Sequence, residues 1–177
     1  MNQIRTDKCS NTDTEQIQLA AESVTQSTNT KQIHYPSNLS IMSKYANGQY
    51  QILNPEKYVG KGQPKYRSSW EHAAMRMLDN NPAILKWASE SIHINYKNPF
   101  TNKQTIYVPD FFVLYMDANN RQHAELWEIK PTKETTLEAA GRSKKAQAAA
   151  ILNQFKWQAA NAYCKANGLH FRIITEN

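Results

Sequence analysis

Residues 104–130 read QTIYVPDFFVLYMDANNRQHAELWEIK, and this stretch decides the fold. Gln104–Met116 is rich in β-branched and aromatic residues and reads as one long, mostly buried strand. Asp117-Ala118-Asn119-Asn120 is a turn, and Gln122–Lys130 is the next strand. Asp110 stands among Val108, Phe111, Phe112 and Val113, where a lone carboxylate is costly unless it is paired or binds a metal. Pro109 cannot donate a ladder hydrogen bond, so the strand is irregular there and Asp110 can be aimed out of the sheet. Strand side chains alternate, so Glu128 and Lys130 share one face while Trp127 and Ile129 take the other.

If the two strands are neighbours, Asp110 and Glu128 converge. Two carboxylates, a backbone carbonyl and waters suit octahedral Mg²⁺. Such a metal polarises a phosphate and acidifies a bound water. Lys130 then orients that water or offsets charge developing on the phosphate. Each residue alone has a structural explanation as a satisfied strand acid or a surface ion pair. The ordered set is more specific than its parts.

Upstream, Ser68-x-x-Glu71 is a capping box, and Trp70, Ala74, Met77 and Leu78 form a helical stripe. Glu71 is thus either a plain cap or a third acid of the same cleft. Asn80, Asn81 and Pro82 end this helix, and a short helical piece is expected to run on through Trp87. Ile92, Ile94 and Tyr96 alternate with polar residues as a strand, and Asn98–Asn102 is a turn. The three strands together are expected to form an antiparallel meander. Downstream, a long helix is expected over much of Thr136–Asn167, stopped by Gly168, before a final strand at Leu169–Thr175. The predicted order is α-β-β-β-α-β.

The chain has 177 residues, a formal charge of +6 and a pI near 9.3. Residues 1–45 hold four Lys/Arg against four Asp/Glu, so the excess cations all lie beyond them; such a balance favours a polyanionic partner such as nucleic acid, although it also suits many soluble proteins. Residues 1–44 read as a polar flexible arm, since half of residues 1–40 are Ser, Thr, Asn or Gln. Within it, Thr12-x-x-Glu15 followed by Ile17, Ala20, Ala21 and Val24 can form a short partner-docking helix. Residues 45–67 read as a polar connector, with the folded core starting near Tyr66. Cys9 and Cys164 are too few and too far apart for a disulfide framework, so a reducing compartment is expected. No bilayer-spanning stretch and no secretory signal is visible, so no membrane association is expected.

Val108-Pro109-Asp110 and Glu128-Ile129-Lys130 resemble the two signature strands of the PD-(D/E)XK nuclease superfamily. Further tracts are similar to the head completion nucleases of T4-like tailed phages. They are Asn54-Pro55-Glu56-Lys57-Tyr58, Tyr66-Arg67-Ser68-Ser69-Trp70-Glu71, Asn81-Pro82 with Trp87, Pro109-Asp110-Phe111, Glu128-Ile129-Lys130-Pro131 and Asn153-x-x-Lys156-Trp157. The phage T7 endonuclease I resolvases and the TnsA transposase subunits share the core more distantly. The resemblance covers roughly residues 45–177. It implies an α/β, restriction-endonuclease-like core with a mixed central sheet flanked by helices. It implies Asp110, Glu128 and Lys130 as the active site, Glu71 as a fourth member, and Mg²⁺ or Mn²⁺ as cofactor held by Asp110, Glu128 and Glu71. It also implies a virion protein acting on packaged double-stranded DNA at the portal vertex or neck after packaging, made in the host cytoplasm. Lys156 matches a family position on the last helix. One departure is Glu134, an acid in a tract that is strongly basic in the family.

Candidate phosphate contacts are Lys61, Lys65, Arg67, Arg142, Lys144, Lys145 and Lys156, although a solvated basic face explains some of them equally. Portal, neck or head–tail connector proteins are the expected protein partners, reached through residues 1–44. Two other readings share the core. One is a structural neck component with a vestigial nuclease site, and the other is a junction-resolving or transposon-end nuclease.

Overall fold

The computed structural model describes residues 46–175. Its frame is a mixed four-stranded sheet with helices on both faces. Helix α1, Ser69–Asn80, starts at Ser68, whose Oγ accepts the Glu71 N–H at 3.1 Å. It ends where Asn81 caps it and folds its side chain onto the Ala83 N–H, turning the chain before Pro82 can extend the helix.

The next segment is strand β3, Ile84–Ser89, not the short helix expected there. The reason is a bulge. Ile84 faces Tyr115 but Lys86 faces Leu114, so one residue is extra and Ile84 and Trp87 fall on the same face three residues apart. That spacing mimics a helical one.

Strands β4, Ile94–Lys97, and β5, Gln104–Tyr107, form a separate hairpin closed by Asn98 and Asn102. The long strand expected over Gln104–Met116 is therefore two strands. The chain breaks at Val108–Asp110, around buried Pro109, and resumes as β6, Phe111–Met116, in a different sheet. Strand β7, Gln122–Ile129, pairs antiparallel with β6, and β8, His170–Ile174, pairs parallel with β7. The sheet order is β3-β6-β7-β8, so the expected meander is replaced by a mixed sheet with the β4–β5 hairpin beside it.

Alternation along β6 and β7 splits the core in two. Phe111, Val113, Tyr115, Trp127 and Ile129 face α1 through Met75 and Leu78. Phe112, Leu114, Ala124 and Leu126 face the last helix through Trp157, Ala160 and Cys164. The helix expected over Thr136–Asn167 is interrupted. Helix α2, Leu137–Ala140, stops at Gly141 in a left-handed conformation, and Ser143 caps α3, Lys144–Ala166. Ala150, Asn153, Trp157, Ala160 and Cys164 give α3 its buried stripe. Gly168, at φ +68°, ends the helical region as expected.

The segment before α1 belongs to the core rather than to a connector. Strand β1, Gly48–Gln49, pairs with β2, Lys65–Tyr66, and Tyr50 is buried against α1 and β3. Asp79 anchors it. This fully buried carboxylate accepts the Tyr50 hydroxyl at 3.0 Å and the Leu53 and Asn54 N–H groups at 2.7 and 3.1 Å. Its backbone carbonyl takes the Asn54 Nδ2 and Lys57 Nζ donors. Removing one partner of a buried charged network leaves the others unsatisfied. Asp79→Ala is therefore expected to cost about 2–4 kcal/mol in urea unfolding, and a loss below about 1 kcal/mol contradicts the anchoring role.

Candidate active site

The antiparallel register that sets Phe111 opposite Trp127 places Asp110 beside the end of β7. Asp110 Oδ2 accepts the Ile129 N–H at 2.7 Å, so its side chain replaces the ladder bond that the broken strand no longer supplies. Its Oδ1 takes no hydrogen bond among the described residues and points to free coordination capacity. Glu128 is nearly fully buried, and both of its oxygens are held. Oε2 accepts the Tyr107 hydroxyl at 2.7 Å, and Oε1 meets Lys130 Nζ at 3.0 Å. The shared face of Glu128 and Lys130 is thus as the strand period requires. Lys130 is fixed just past β7 by its N–H to the Ile174 carbonyl on β8.

The site has more negative charge than its lysine neutralises. Desolvation first, and then the Glu128 charge, push the Asp110 carboxyl up to about 8; Lys130 and the Ile129 N–H pull against them, and Glu71 adds to the rise. Burial works to lower the Lys130 pKa, but Glu128 and Asp110 together outweigh it and raise it, so Lys130 stays a cation. Burial and the Glu128 charge raise the Tyr107 phenol, which stays protonated as the donor to Glu128.

This donor set fits a hard divalent cation that keeps most of its water. Two carboxylates, Asp110 and Glu128, converge, and among the described residues no group of three His, Cys, Asp or Glu side chains forms a ready cage. Mg²⁺ typically binds through one or two carboxylates in this way.

Glu71 stands apart from that pair. Its Oε1 accepts the Ser68 hydroxyl at 2.9 Å and its Oε2 the Arg67 N–H at 2.7 Å, which completes the capping box one residue earlier than the usual reciprocal bond. Its charge nevertheless reaches Asp110 and the Arg67 guanidinium.

Three neighbours of the site had no role assigned from the sequence, although Asn153 stood in a tract that carries the family resemblance. Tyr107 is one. Glu90 is another: its N–H bonds the Asp110 carbonyl at 3.0 Å, it sits at φ +49°, and its carboxylate pairs with Arg67. Arg67, expected to contact phosphate, is therefore already paired, and Glu90 is the first cause of its raised pKa. Asn153 is the third, since its Nδ2 donates to the Glu134 carbonyl at 3.3 Å and so ties α3 to the chain leaving Lys130.

The other basic candidates are spread out. Lys65 is exposed on β2, and Lys61 lies in the loop before it. Arg142, Lys144 and Lys145 are exposed where α3 begins. Cations at a helix N-terminus oppose its dipole, an arrangement that an external phosphate would relieve. Lys156 does not project as a free cation: its Nζ lies 5.7 Å from the centre of the Tyr107 ring.

Two comparisons with known proteins place the chain among its relatives. Residues 81–176 match the family model described as TnsA-like endonuclease N terminal. Over 142 residues the chain is 34% identical to the head completion nuclease of Enterobacteria phage T4, covering 73% of this chain and 91% of that protein.

The raised Asp110 pKa has a consequence for the metal-free protein. A carboxyl that ordinarily titrates near 4 but is held up to about 8 favours the folded state below its unfolded value and loses that contribution as pH rises through the folded one. In EDTA, the melting temperature is expected to fall between about pH 4 and pH 8, and Asp110→Asn is expected to flatten that fall. A wild-type slope unchanged by the substitution rules out this assignment.

Proposed function

This chain belongs to the T4-type head completion nucleases, a family of phage endonucleases, and from that premise we propose that it cuts packaged DNA with a divalent metal at the portal vertex of the filled head. The observation that carries the proposal is the convergence of Asp110, Glu128 and Lys130 where β6 begins and β7 ends, with Asp110 pushed upward by burial and then by the charge of a second, buried acid.

Asp110 and Glu128 hold the metal, Mg²⁺ or Mn²⁺, with Glu71 as the neighbouring third acid. When bound, that ion supplies Lewis-acid polarisation of the phosphate and a more acidic water. Lys130, kept cationic by its two acids, is a donor and not a base. It orients the attacking oxygen and offsets charge on the phosphate as the bond to the leaving oxygen breaks. Lys65, Arg67, Arg142, Lys144 and Lys145 contact backbone phosphates, so binding is salt-sensitive and weakly sequence-specific. Arg67 exchanges Glu90 for a phosphate on binding. Residues 1–44, which lie outside the described residues, contact a portal, neck or connector partner.

Three experiments test this. Purified protein is expected to nick supercoiled plasmid in Mg²⁺ and not in EDTA, with Asp110→Ala and Lys130→Ala slower by at least about 100-fold. If neither substitution slows cutting, or if cutting proceeds in EDTA, the site assignment fails. Phage carrying the inactive variants separates cutting from a purely architectural role, because an architectural part still yields infectious particles. Glu71→Gln keeps a side chain that can close the capping box but removes its charge. Its melting temperature is expected to stay within about 2 °C and its rate to drop roughly tenfold, whereas an unchanged rate reduces Glu71 to a cap.

A further inference from the structure

Tyr107 comes from outside the two signature strands, yet it makes one of the two contacts that fix Glu128. It sits at the end of β5, opposite Ile94, and both side chains are 4% exposed, so the ring is immobilised by the hairpin core. Its hydroxyl reaches Glu128 Oε2 at 2.7 Å. Lys130 holds the other oxygen at 3.0 Å. A carboxylate gripped at both oxygens has its side-chain rotation removed before any ligand arrives. Lys156 Nζ, on α3, stands over the face of the same ring. A cation there is attracted to the ring and polarises the phenol O–H toward its acceptor. Asn153, one turn earlier on α3, bonds the Glu134 carbonyl, and Trp157 is buried beside both. The Asn153-x-x-Lys156-Trp157 tract is thus a brace behind the site and not a DNA-facing edge.

We propose that Tyr107, backed by Lys156, is a positioning residue that pre-orients the Glu128 carboxylate for metal and holds it against Lys130. The inference rests on Glu128 being a metal-holding acid. It assigns to the β4–β5 hairpin and α3 a share in activity that the signature residues alone do not contain. The hairpin and the sheet meet at the Pro109 break, so the break sets the distance between Tyr107 and Asp110 as well as the aim of Asp110.

The test uses the full chain. Tyr107→Phe keeps the ring and removes only the hydroxyl. Its turnover on supercoiled plasmid at saturating Mg²⁺ is expected to fall about 10- to 100-fold with KM for DNA within about twofold. Its dissociation constant for Mn²⁺, measured by calorimetry without DNA, is expected to rise at least about fivefold. Lys156→Met keeps the stem over the ring and removes the charge. It is expected to lower turnover about threefold without changing the salt dependence of DNA binding, and Lys156→Arg is expected to restore the rate. Wild-type turnover and Mn²⁺ affinity in Tyr107→Phe overturn the proposal. So does a Lys156→Met variant whose only defect is a salt slope shallower by about one phosphate contact. If Tyr107→Phe does not fold, the Lys156 variants and their Mn²⁺ titrations decide the matter. Glu128→Gln, assayed in parallel, tests the underlying reading separately. Full activity there refutes the catalytic role of Glu128, whereas an inactive Glu128→Gln beside an unaffected Tyr107→Phe refutes only the positioning role.

Discussion

The hydrogen bond from the Ile129 N–H to Asp110 Oδ2 is the constraint on which the site depends. Pro109 stops the ladder between the hairpin and the central sheet, and without a substitute the end of β7 would have an unpaired buried amide. Asp110 supplies that substitute with its side chain. The same bond brings a carboxylate next to Glu128, which lies one residue before Ile129 on the opposite face of β7 from Trp127. The parallel strand β8 then pins Lys130 from the far side. Fold and site therefore share one contact, and the strand break is part of the site's construction.

Charge is distributed to match. Among the described residues, the acids of the site are crowded, while exposed cations stand apart from one another on β2, just before α1 and at the start of α3. Two cations are already engaged: Arg67, still exposed, pairs with Glu90, and Lys156 stands over Tyr107. Acids held together in a buried site attract a cation, and exposed basic side chains attract phosphate.

Much of this was legible in the sequence because it follows from short-range rules. The period of two in β7 put Glu128 with Lys130, and Ser68-x-x-Glu71 marked the start of α1. The mixed α/β class followed from the order of periodic segments. What escaped were features created by irregular backbone. The bulge after Ile84 disguised β3 as a helix. The break at Pro109 reset the alternation of faces, so nothing before it tied Tyr107 to Glu128. Glu90 adopts a left-handed conformation that its residue type does not announce. Residues 45–67 looked like a connector because the anchoring of their described part is polar, through an Asp79 that in sequence looks like part of an exposed Asp-Asn-Asn helix end. Gly141 and Ser143 together were a readable stop and cap within the last helical region, hidden by the Ala-rich run around them.

The most direct test of the account is anomalous diffraction from crystals grown with Mn²⁺. A Mn²⁺ peak is expected within about 2.0–2.3 Å of carboxylate oxygens from both Asp110 and Glu128, with the Tyr107 contact to Glu128 retained. A protein that cuts DNA in Mn²⁺ but binds the ion elsewhere, or through only one of these two acids, would contradict it.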